Sequence, residues 1–384
     1  MKVALVHDWL NGMRGGEKVL EVLCELYPQA DLFTLLYEPG KVSETIRQHR
    51  VFTSFIQRLP GARRWYRHYL PWFPTAIEQF DLRGYDLVIS SSHCVAKGVL
   101  TEPATPHVCF CHTPMRYAWE QYYEYFPSAR LGLLGRLVIP PAMNRLRVWD
   151  VVSSQRVDAF LANSAHVARR IRKYYGREAR VVHPPVDADR FRQAEQAGDH
   201  YLIVSALVPY KRIDRAILAF NALQRPLVIV GEGPEAKRLR KLAGPTVRFK
   251  PHVSDEEYLN LYATCRAFVF PGEEDFGITP LEAMASGRPV IALGKGGALE
   301  TVVEGKTGLF FAEPTPAALV GAVTRSEQMR WDSAAIRSRA REFDRGKFKH
   351  RLSVAIAASL EDFRRRGTGE PVAARRLQSR RFRR

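Results

Sequence analysis

The stretch PGEEDFGITPLE, residues 271–282, places carboxylates on both sides of a tight turn. Part of this pattern has a local explanation, because Thr279 can cap a helix and Glu282 then falls where a capping box needs its acid. That explanation covers Glu282 alone. It leaves open why Glu274 stands before the turn and why Gly277 lies within it.

The same residues in this order are suited to a sugar attached to a nucleoside diphosphate. Gly277 lets the backbone approach a phosphate, and the N–H groups of the following helix start, from Ile278 onward, can donate to it. Glu282 can accept hydrogen bonds from a ribose diol, and Glu274 can accept them from sugar hydroxyls. The stretch therefore predicts a polyol, a diphosphate and a second polyol in a row, which is the outline of a nucleotide sugar.

Two further loops combine a helix start with glycines or cations. In HDWLNGMRGGEKV, Gly15 and Gly16 let backbone N–H groups approach an anion, but the loop is neither G-x-G-x-x-G nor a Walker A loop, and a tight turn is the alternative. In SALVPYKRID, Lys211 and Arg212 are predicted to open a helix. The helix dipole disfavours cations there, so an anionic ligand would explain them, and a solvated basic turn is the alternative.

Candidate metal ligands are also present, but their spacing does not favour a metal site. His112 follows the predicted strand HVCFC, where its imidazole either faces a cleft or has a structural role. Cys109 and Cys111 point to one face of that strand, and no second ligand pair stands at zinc spacing. Asp187 and Asp189 match a loose D-x-D metal motif but lie in a polar linker. We therefore expect no metal.

Short apolar runs alternate with amphipathic helices along the chain, which is typical of parallel sheets covered on both faces. One series runs from KVALVHD to ARVVHPP and a second from YLIVSAL to TGLFF, with the polar stretch 187–200 between them. The pattern predicts an α/β protein with two Rossmann-like, doubly wound domains, residues 1–187 and 188–345. A C-terminal helix, 346–365, is expected to pack back on the first domain, followed by a flexible basic tail, 366–384.

Composition limits the class of protein. A chain of 384 residues with 46% hydrophobic residues can form two ordinary domains and is not disordered. No apolar run approaches the ~20 residues of a membrane span, and the N-terminal stretch turns polar at His7, too early for a signal peptide. The five cysteines lie mostly in apolar segments. We interpret them as reduced thiols of a cytoplasmic protein.

The net charge of +18 is concentrated in a few segments. Residues 364–384 contain nine arginines and one acid, and residues 51–77 contain no acid. Within the latter, the run 58–73 interleaves arginines with tryptophans and tyrosines. Basic and aromatic residues together suit an anionic bilayer surface, so we expect a peripheral protein on the inner face of the plasma membrane. RNA binding and a solvated basic face are the alternatives.

Taken together, these motifs resemble the retaining glycosyltransferases of family 4, which have the GT-B fold with two domains facing a central cleft. The resemblance runs from residue 1 to about residue 360, and its most specific part is the E-x7-E motif of Glu274 and Glu282. The loops quoted above support it, as do NSAHVARRIRKYYG, VVHPPVD and VGEGPE. The last of these segments look most like those of bacterial mannosyltransferases that build surface polysaccharides or lipid-linked glycans.

The resemblance implies a role for each matching position. Glu282 would bind the ribose, and Glu274 would bind hydroxyls of the transferred sugar. Lys211 would bind the diphosphate, against which the glycine loop 15–16 would lie. His112 would stand beside the transferred sugar, so that His112, Glu274 and Lys211 form the catalytic set.

The resemblance also implies an activity, which is transfer of a hexose without a metal or other cofactor. The hexose that the resemblance implies is mannose, moved from GDP-mannose to a glycan or polyprenyl-linked acceptor. One position departs from the family pattern, because Ala206 stands where an arginine is usual, and Arg212 would have to take over part of its task. A sugar-nucleotide epimerase of the same fold is the alternative. An RNA-binding module is a weaker one, since the chain has no RNP, KH or zinc signature.

Overall fold

The computed structural model describes residues 1–127 and 132–367 and contains two sheets. The strands of the first sheet are β1 (Val3–His7), β2 (Asp31–Thr34), β3 (Val51–Thr53), β4 (Leu87–Ser92), β5 (His107–Cys111), β6 (Ala159–Ala162) and β7 (Ala179–Val181). They are all parallel and lie in the order β3-β2-β1-β4-β5-β6-β7.

The second sheet is also parallel throughout. Its strands are β8 (Tyr201–Val204), β9 (Leu227–Val230), β10 (Val247–Lys250), β11 (Ala267–Phe270), β12 (Val290–Leu293) and β13 (Gly308–Phe311). They lie in the order β10-β9-β8-β11-β12-β13. Two parallel sheets of this kind confirm the predicted α/β class with two Rossmann-like domains.

Helices connect the strands and cover both faces of the sheets. In chain order they are α1 (Gly15–Leu26), α2 (Glu44–Arg47), α3 (Ala62–Trp65), α4 (Phe73–Glu78), α5 (Tyr122–Tyr125), α6 (Leu133–Ser154), α7 (Ala165–Tyr175), α8 (Ile213–Leu223), α9 (Ala236–Leu242), α10 (Asp255–Thr264), α11 (Ile278–Ala285), α12 (Ala298–Thr301), α13 (Pro316–Glu327), α14 (Ser333–Arg341) and α15 (Arg345–Gly367). Every residue of β1 and of β4 is buried, as expected of central parallel strands.

The last helix, α15, packs on the first sheet rather than on the second. Phe348 and Leu352 share a core cluster with Leu5 of β1, and Lys349 forms an ion pair with Glu25 of α1 at 3.0 Å. The chain passes between the sheets after β7 and before β8. We propose the domain boundary at residues 187 and 188, within this passage. The predicted tail, 366–384, lies outside the described residues from 368 onward.

Candidate active site

The loops that follow β8 and β11 lie against each other at the carboxyl edge of the second sheet. These two strands are neighbours in the sheet. A Cβ at Gly272 would stand 2.9 Å from the Cα of Lys211, so a glycine is needed for this contact. The loops 205–212 and 271–277 therefore form one surface, here called the cleft floor, at the edge where open parallel sheets bind ligands.

Glu274 and Lys211 meet on the cleft floor. The Lys211 ammonium forms an ion pair with Oε1 of Glu274, and Nη1 of Arg116, from the first domain, lies 3.5 Å from Oε2. Glu274 is 8% exposed, and the Lys211 side chain is 19% exposed. Lys211 is therefore a largely buried, paired cation, and the alternative of a solvated turn residue is wrong for it.

Helix α11 starts at the edge of the same floor. Its N-cap is Gly277, whose φ of 90° is in the region that favours glycine, and no side chain of the described residues caps this end. The predicted capping box is wrong, because the helix already begins at Ile278 and Thr279 lies inside it. The first N–H groups of α11 consequently have no side-chain acceptor and can serve an anion.

Glu282, one turn further along α11, is a hydrogen-bond acceptor for groups outside its own helix. The hydroxyls of Tyr258 and Tyr262 on α10 donate to its Oε2 at 2.7 and 3.0 Å, and Nζ of Lys18 on α1 lies 3.6 Å from Oε1. Burial and this carboxylate raise the pKa of Tyr258 and of Tyr262, so both phenols stay protonated donors. Glu282 is thus a buried carboxylate that is held by two tyrosines of its own domain and lies near one lysine of the first domain.

The first turn of α1 approaches α11 from the other domain. A Cβ at Gly15 would lie 2.8 Å from Cδ1 of Ile278, so glycine permits the close spacing of the two helix starts. A Cβ at Gly16 would lie 3.5 Å from Cε1 of His7 and 3.6 Å from Nε2 of His112. The structure therefore gathers the predicted glycines, Ile278 and His112 at one place.

Ser91 of β4 connects two imidazoles beside the start of α1. Its Oγ lies 2.8 Å from Nε2 of His112 and 3.1 Å from Nδ1 of His7. Burial lowers the pKa of both histidines to about 3, with the nearby His93 contributing in the same direction. Both rings are therefore neutral at neutral pH. His112 can form hydrogen bonds to a ligand, but it does not add a permanent positive charge.

Several residues around this site were not predicted from the sequence. Asp8, at the end of β1, is fully buried, and its carboxylate accepts from Nδ1 of His93 at 3.0 Å. It also accepts four backbone N–H groups at 2.6–3.0 Å, which belong to His93, Cys94, Val95 and Ala96. Asp8 thereby fixes the turn after β4 and orients the His93 ring.

Asp275 joins the two domains next to Glu274. It forms ion pairs with Arg116 and Arg170 of the first domain. Burial alone would raise the pKa of Asp275, but the two guanidinium groups outweigh it and hold this pKa below its usual value.

A second contact between the domains is made by Glu300 of α12. Its carboxylate accepts hydrogen bonds from the first two N–H groups of α7 at 2.8 and 3.0 Å. The cleft is therefore crossed by charged contacts from both domains.

Arg212 follows Lys211 in the sequence, but its guanidinium does not join the Lys211 ammonium at Glu274. Its guanidinium donates to Glu124 on α5 of the first domain at 2.8 Å. Lys211 ends a 3₁₀ turn, Pro209–Lys211, Arg212 is the N-cap of α8 with a φ of 54°, and the helix begins at Ile213. The prediction that both cations open the helix is therefore wrong, and their charges point to different partners.

The other candidate metal ligands do not form a cluster. Asp187 is the N-cap of a short 3₁₀ helix, Ala188–Arg190, in the passage between the sheets, and Asp189 lies inside that helix. All five cysteines are buried and free. Within residues 1–127 and 132–367, no three His, Cys, Asp or Glu side chains are grouped so that they could hold a metal ion.

Comparison with known proteins identifies both halves of the chain. A family model described as Glycosyltransferase Family 4 matches residues 13–190, and one described as Glycosyl transferases group 1 matches residues 186–343. The chain is 30% identical over 213 residues to a D-inositol 3-phosphate glycosyltransferase of Streptomyces avermitilis, covering 46% of each chain.

A second curated relative is a GDP-mannose-dependent alpha-(1-6)-phosphatidylinositol monomannoside mannosyltransferase of Mycobacterium tuberculosis. Identity is 35% over 178 residues, which is 38% of this chain and 46% of the relative. The matched region thus spans about half the length of these curated relatives.

Solved structures share the whole fold. Anabaena HepE in complex with UDP matches 93% of this chain and all of its own, with a TM-score of 0.67 and 17% sequence identity. At this identity the likeness shows the fold alone. From the two family models and this shared fold, the chain belongs to the GT-B glycosyltransferases, with a family 4 first domain and a group 1 second domain, as its motifs predict.

Proposed function

We propose that the protein transfers a hexose from a nucleotide sugar to an acceptor hydroxyl, with retention of configuration at the anomeric carbon. The observation that carries this proposal is the grouping of Lys211, Glu274 and Glu282 around the start of α11, which lacks a side-chain cap. A diphosphate at that helix start would have Glu282 on its nucleoside side and Glu274 on its sugar side. The catalytic set is His112, Glu274 and Lys211.

The chemistry of the leaving group explains why these residue types are needed. When the bond between the anomeric carbon and the phosphate oxygen breaks, negative charge develops on the diphosphate. Preorganised donors at that point commonly make the largest contribution to catalysis. Lys211 and the first N–H groups of α11 would supply them. Lys211 would then move from Glu274 to the phosphate, which frees Glu274 to accept hydrogen bonds from sugar hydroxyls.

For retention, the acceptor hydroxyl attacks the anomeric carbon from the same side as the one from which the leaving group departs. A new bond forms between the acceptor oxygen and the anomeric carbon as the old carbon–oxygen bond breaks. The acceptor proton passes to a leaving phosphate oxygen, so the step needs no separate enzymatic base. His112 is neutral and stands next to the glycine start of α1, where it would orient the sugar by hydrogen bonding.

We propose mannose as the hexose and GDP as the leaving group. The support is the similarity of the chain to a relative named as a GDP-mannose-dependent mannosyltransferase. The name of that relative also contains a mannosylated phosphatidylinositol lipid, which supports a lipid-linked or glycan acceptor for this chain. The acceptor would bind mainly to the first domain.

A transfer assay tests this proposal directly. The protein is incubated with radiolabelled GDP-mannose, or with UDP-glucose as the comparison, and with a membrane extract or a polyprenyl-diphosphate-linked glycan. We expect GDP-mannose to label the acceptor only when protein is present. A free epimerised sugar with no labelled acceptor would instead support the epimerase alternative. Labelling from UDP-glucose alone would keep the transferase and overturn the assignment of the donor.

Replacing Glu282 by glutamine tests the nucleoside side of the site. If Glu282 binds the ribose, the change replaces charge-assisted hydrogen bonds by neutral ones, which differ by about 1 kcal/mol. We expect the Kd for GDP-mannose to rise several-fold by calorimetry, with a smaller change in kcat. The control is Tyr262→Phe, which removes a hydroxyl that donates to Glu282 from a buried position and should lower Tm while leaving Kd within about twofold. A lower Tm with unchanged Kd in Glu282→Gln would make Glu282 a structural anchor only.

We also propose that the first domain docks on the anionic inner face of the plasma membrane. In the basic run 58–73, Trp65 and Trp72 are 54% and 58% exposed, whereas Tyr66 and Phe73 are buried in the domain core. No helix in the described parts of the chain is long and apolar enough to cross a bilayer. The exposed tryptophans and the neighbouring arginines therefore support surface binding.

The first turns of α6 expose a second apolar surface on the first domain. Leu133, Leu134, Leu137 and Val138 are between 53% and 80% exposed, and their spacing places them on one side of the helix. Ile139, the next residue, packs against the same core cluster as Tyr66. We propose that this turn of α6 enters the headgroup region together with Trp65 and Trp72.

Sedimentation with vesicles tests the membrane proposal. We expect the protein to sediment with phosphatidylglycerol-containing vesicles at low salt, and less at high salt or with neutral vesicles. Leu134→Ser/Leu137→Ser should weaken binding at least tenfold, because burying a leucine contributes about 1.5–3 kcal/mol. The control is Leu218→Ser, an exposed leucine of the second domain. Equal binding to neutral vesicles, or no binding to either kind, would refute the proposal.

A further inference from the structure

The proposed leaving group requires more positive charge than the second domain provides at the cleft floor. A nucleoside diphosphate carries charge on two phosphoryl groups, and Lys211 contributes one ammonium at Glu274. The guanidinium of Arg212 is bound to Glu124 instead. Ala206, where the resemblance leads one to expect an arginine, has no charge. A second cation must therefore come from elsewhere.

Arg116, in the loop between β5 and α5 of the first domain, reaches the cleft floor. Its Nη1 lies 3.5 Å from Oε2 of Glu274, whose other oxygen is paired with Lys211, and its Nη2 is paired with Asp275. The guanidinium carbon is 5.3 Å from the centre of the Tyr210 ring. Two positive groups from different domains thus share the Glu274 carboxylate.

We propose that Arg116 is the second diphosphate-binding residue and acts as a catalytic residue supplied by the first domain. Glu274 and Asp275 each contact one terminal nitrogen of Arg116, and the Tyr210 hydroxyl is a further hydrogen-bond partner of this guanidinium. A guanidinium has five N–H donors, so Arg116 has donors left for a phosphate oxygen while Asp275 holds it in place. Asp275 also remains neutralised, because Arg170 is bound to its other oxygen. This inference rests on the proposed nucleotide-sugar donor and adds a residue to that site.

A purely structural role is the competing interpretation, in which Arg116 only ties the two domains together. The matched control is Arg170, which also comes from the first domain and also binds Asp275, but pairs with Glu120 rather than with Glu274. A tie between domains would make the two arginines equivalent. If Arg116 binds the diphosphate, replacing Arg116 should weaken the binding of nucleotides that have a β-phosphate more than the binding of those that lack it. Replacing Arg170 should not.

The experiment compares Arg116→Met with Arg170→Met. Methionine keeps an apolar stem against Tyr210 and removes the charge. Binding of GDP and GMP, or of UDP and UMP if wild type binds uridine nucleotides, is measured by calorimetry, and kcat is measured in the transfer assay. We expect Arg116→Met to weaken GDP binding at least tenfold, to change GMP binding less than twofold and to lower kcat by about 10²-fold. Arg170→Met should change GDP binding by less than threefold.

Equal losses of GDP and GMP binding in Arg116→Met, or equal losses of GDP binding in the two variants, would overturn the proposal. If Arg116→Met does not fold, Arg116→Lys is used, and we expect a smaller loss that still affects GDP and not GMP. Failure of the proposed function would be recognised separately. In that case, wild-type protein itself would bind no nucleoside diphosphate and transfer no sugar.

Discussion

Lys211→Ala should lower kcat by about 10²–10³-fold, because under the proposed mechanism it removes a charged donor at the point where the leaving diphosphate develops negative charge. The structure adds a consequence for stability. Lys211 is largely buried and neutralises Glu274, so its removal leaves that carboxylate with Arg116 alone. We expect a measurable fall in Tm, and kcat is therefore compared at a temperature at which the variant is fully folded.

The matched control for Lys211 is Arg225→Ala. Arg225 is also an ion-paired cation of the second domain, and its partner is Glu327. It precedes β9, so it lies at the amino ends of the strands, whereas the cleft floor lies at their carboxyl ends. Its removal should leave kcat within about twofold. Wild-type kcat in folded Lys211→Ala would show that the ammonium serves only to neutralise Glu274, and the proposed role at the diphosphate would be abandoned.

Glu274→Gln should lower kcat by about 10²-fold while leaving the affinity for GDP unchanged or higher. The reason for the first effect is that Glu274 is proposed to bind the transferred sugar, whose geometry and charge change in the transition state. The second effect follows from the ion pairs of the structure. Without the Glu274 charge, Lys211 and Arg116 lose a carboxylate that competes with the diphosphate for them.

Glu273→Gln is the matched control, since Glu273 is adjacent in sequence and its side chain is 49% exposed. We expect kcat within about twofold of wild type for this variant. Equal effects of the two substitutions, or weaker GDP binding in Glu274→Gln, would contradict the proposed division of roles. The measurements are steady-state kinetics with GDP-mannose and calorimetric titration with GDP.

The parts of the site that lie within the second domain could be predicted from the sequence, because they depend on strand ends. Lys211 and Glu274 follow β8 and β11, and the carboxyl ends of neighbouring parallel strands meet at one edge. The contacts of Arg116 and Lys18 could not be predicted in the same way. They come from the first domain, and their distances depend on how the two domains sit on each other.

Where the secondary structure differs from what the sequence pattern indicates, the cause lies in the residues of that segment. The capping box at Thr279 was predicted from residue types, but Gly277 adopts a left-handed conformation and starts the helix earlier. Strand β3 has three residues and none of them is buried, so the sequence contains no buried apolar run that would indicate it. Helix α6 contains Pro140 and Pro141, and its first turns expose leucines, so the sequence does not show the amphipathic pattern that would indicate a helix there.

Titration of the protein with GDP in the presence of EDTA tests the proposed nucleotide-sugar site most directly, with UDP and ADP as comparisons. We expect one molecule of GDP to bind per chain without added metal, and Lys211→Ala and Glu282→Gln each to weaken this binding while Glu273→Gln does not. The absence of binding for all three nucleotides, or binding that is equally strong in all three variants, would contradict the assignment of the cleft floor as the site of the leaving diphosphate. Binding that appears only after Mg²⁺ is added would contradict the expected independence from metal.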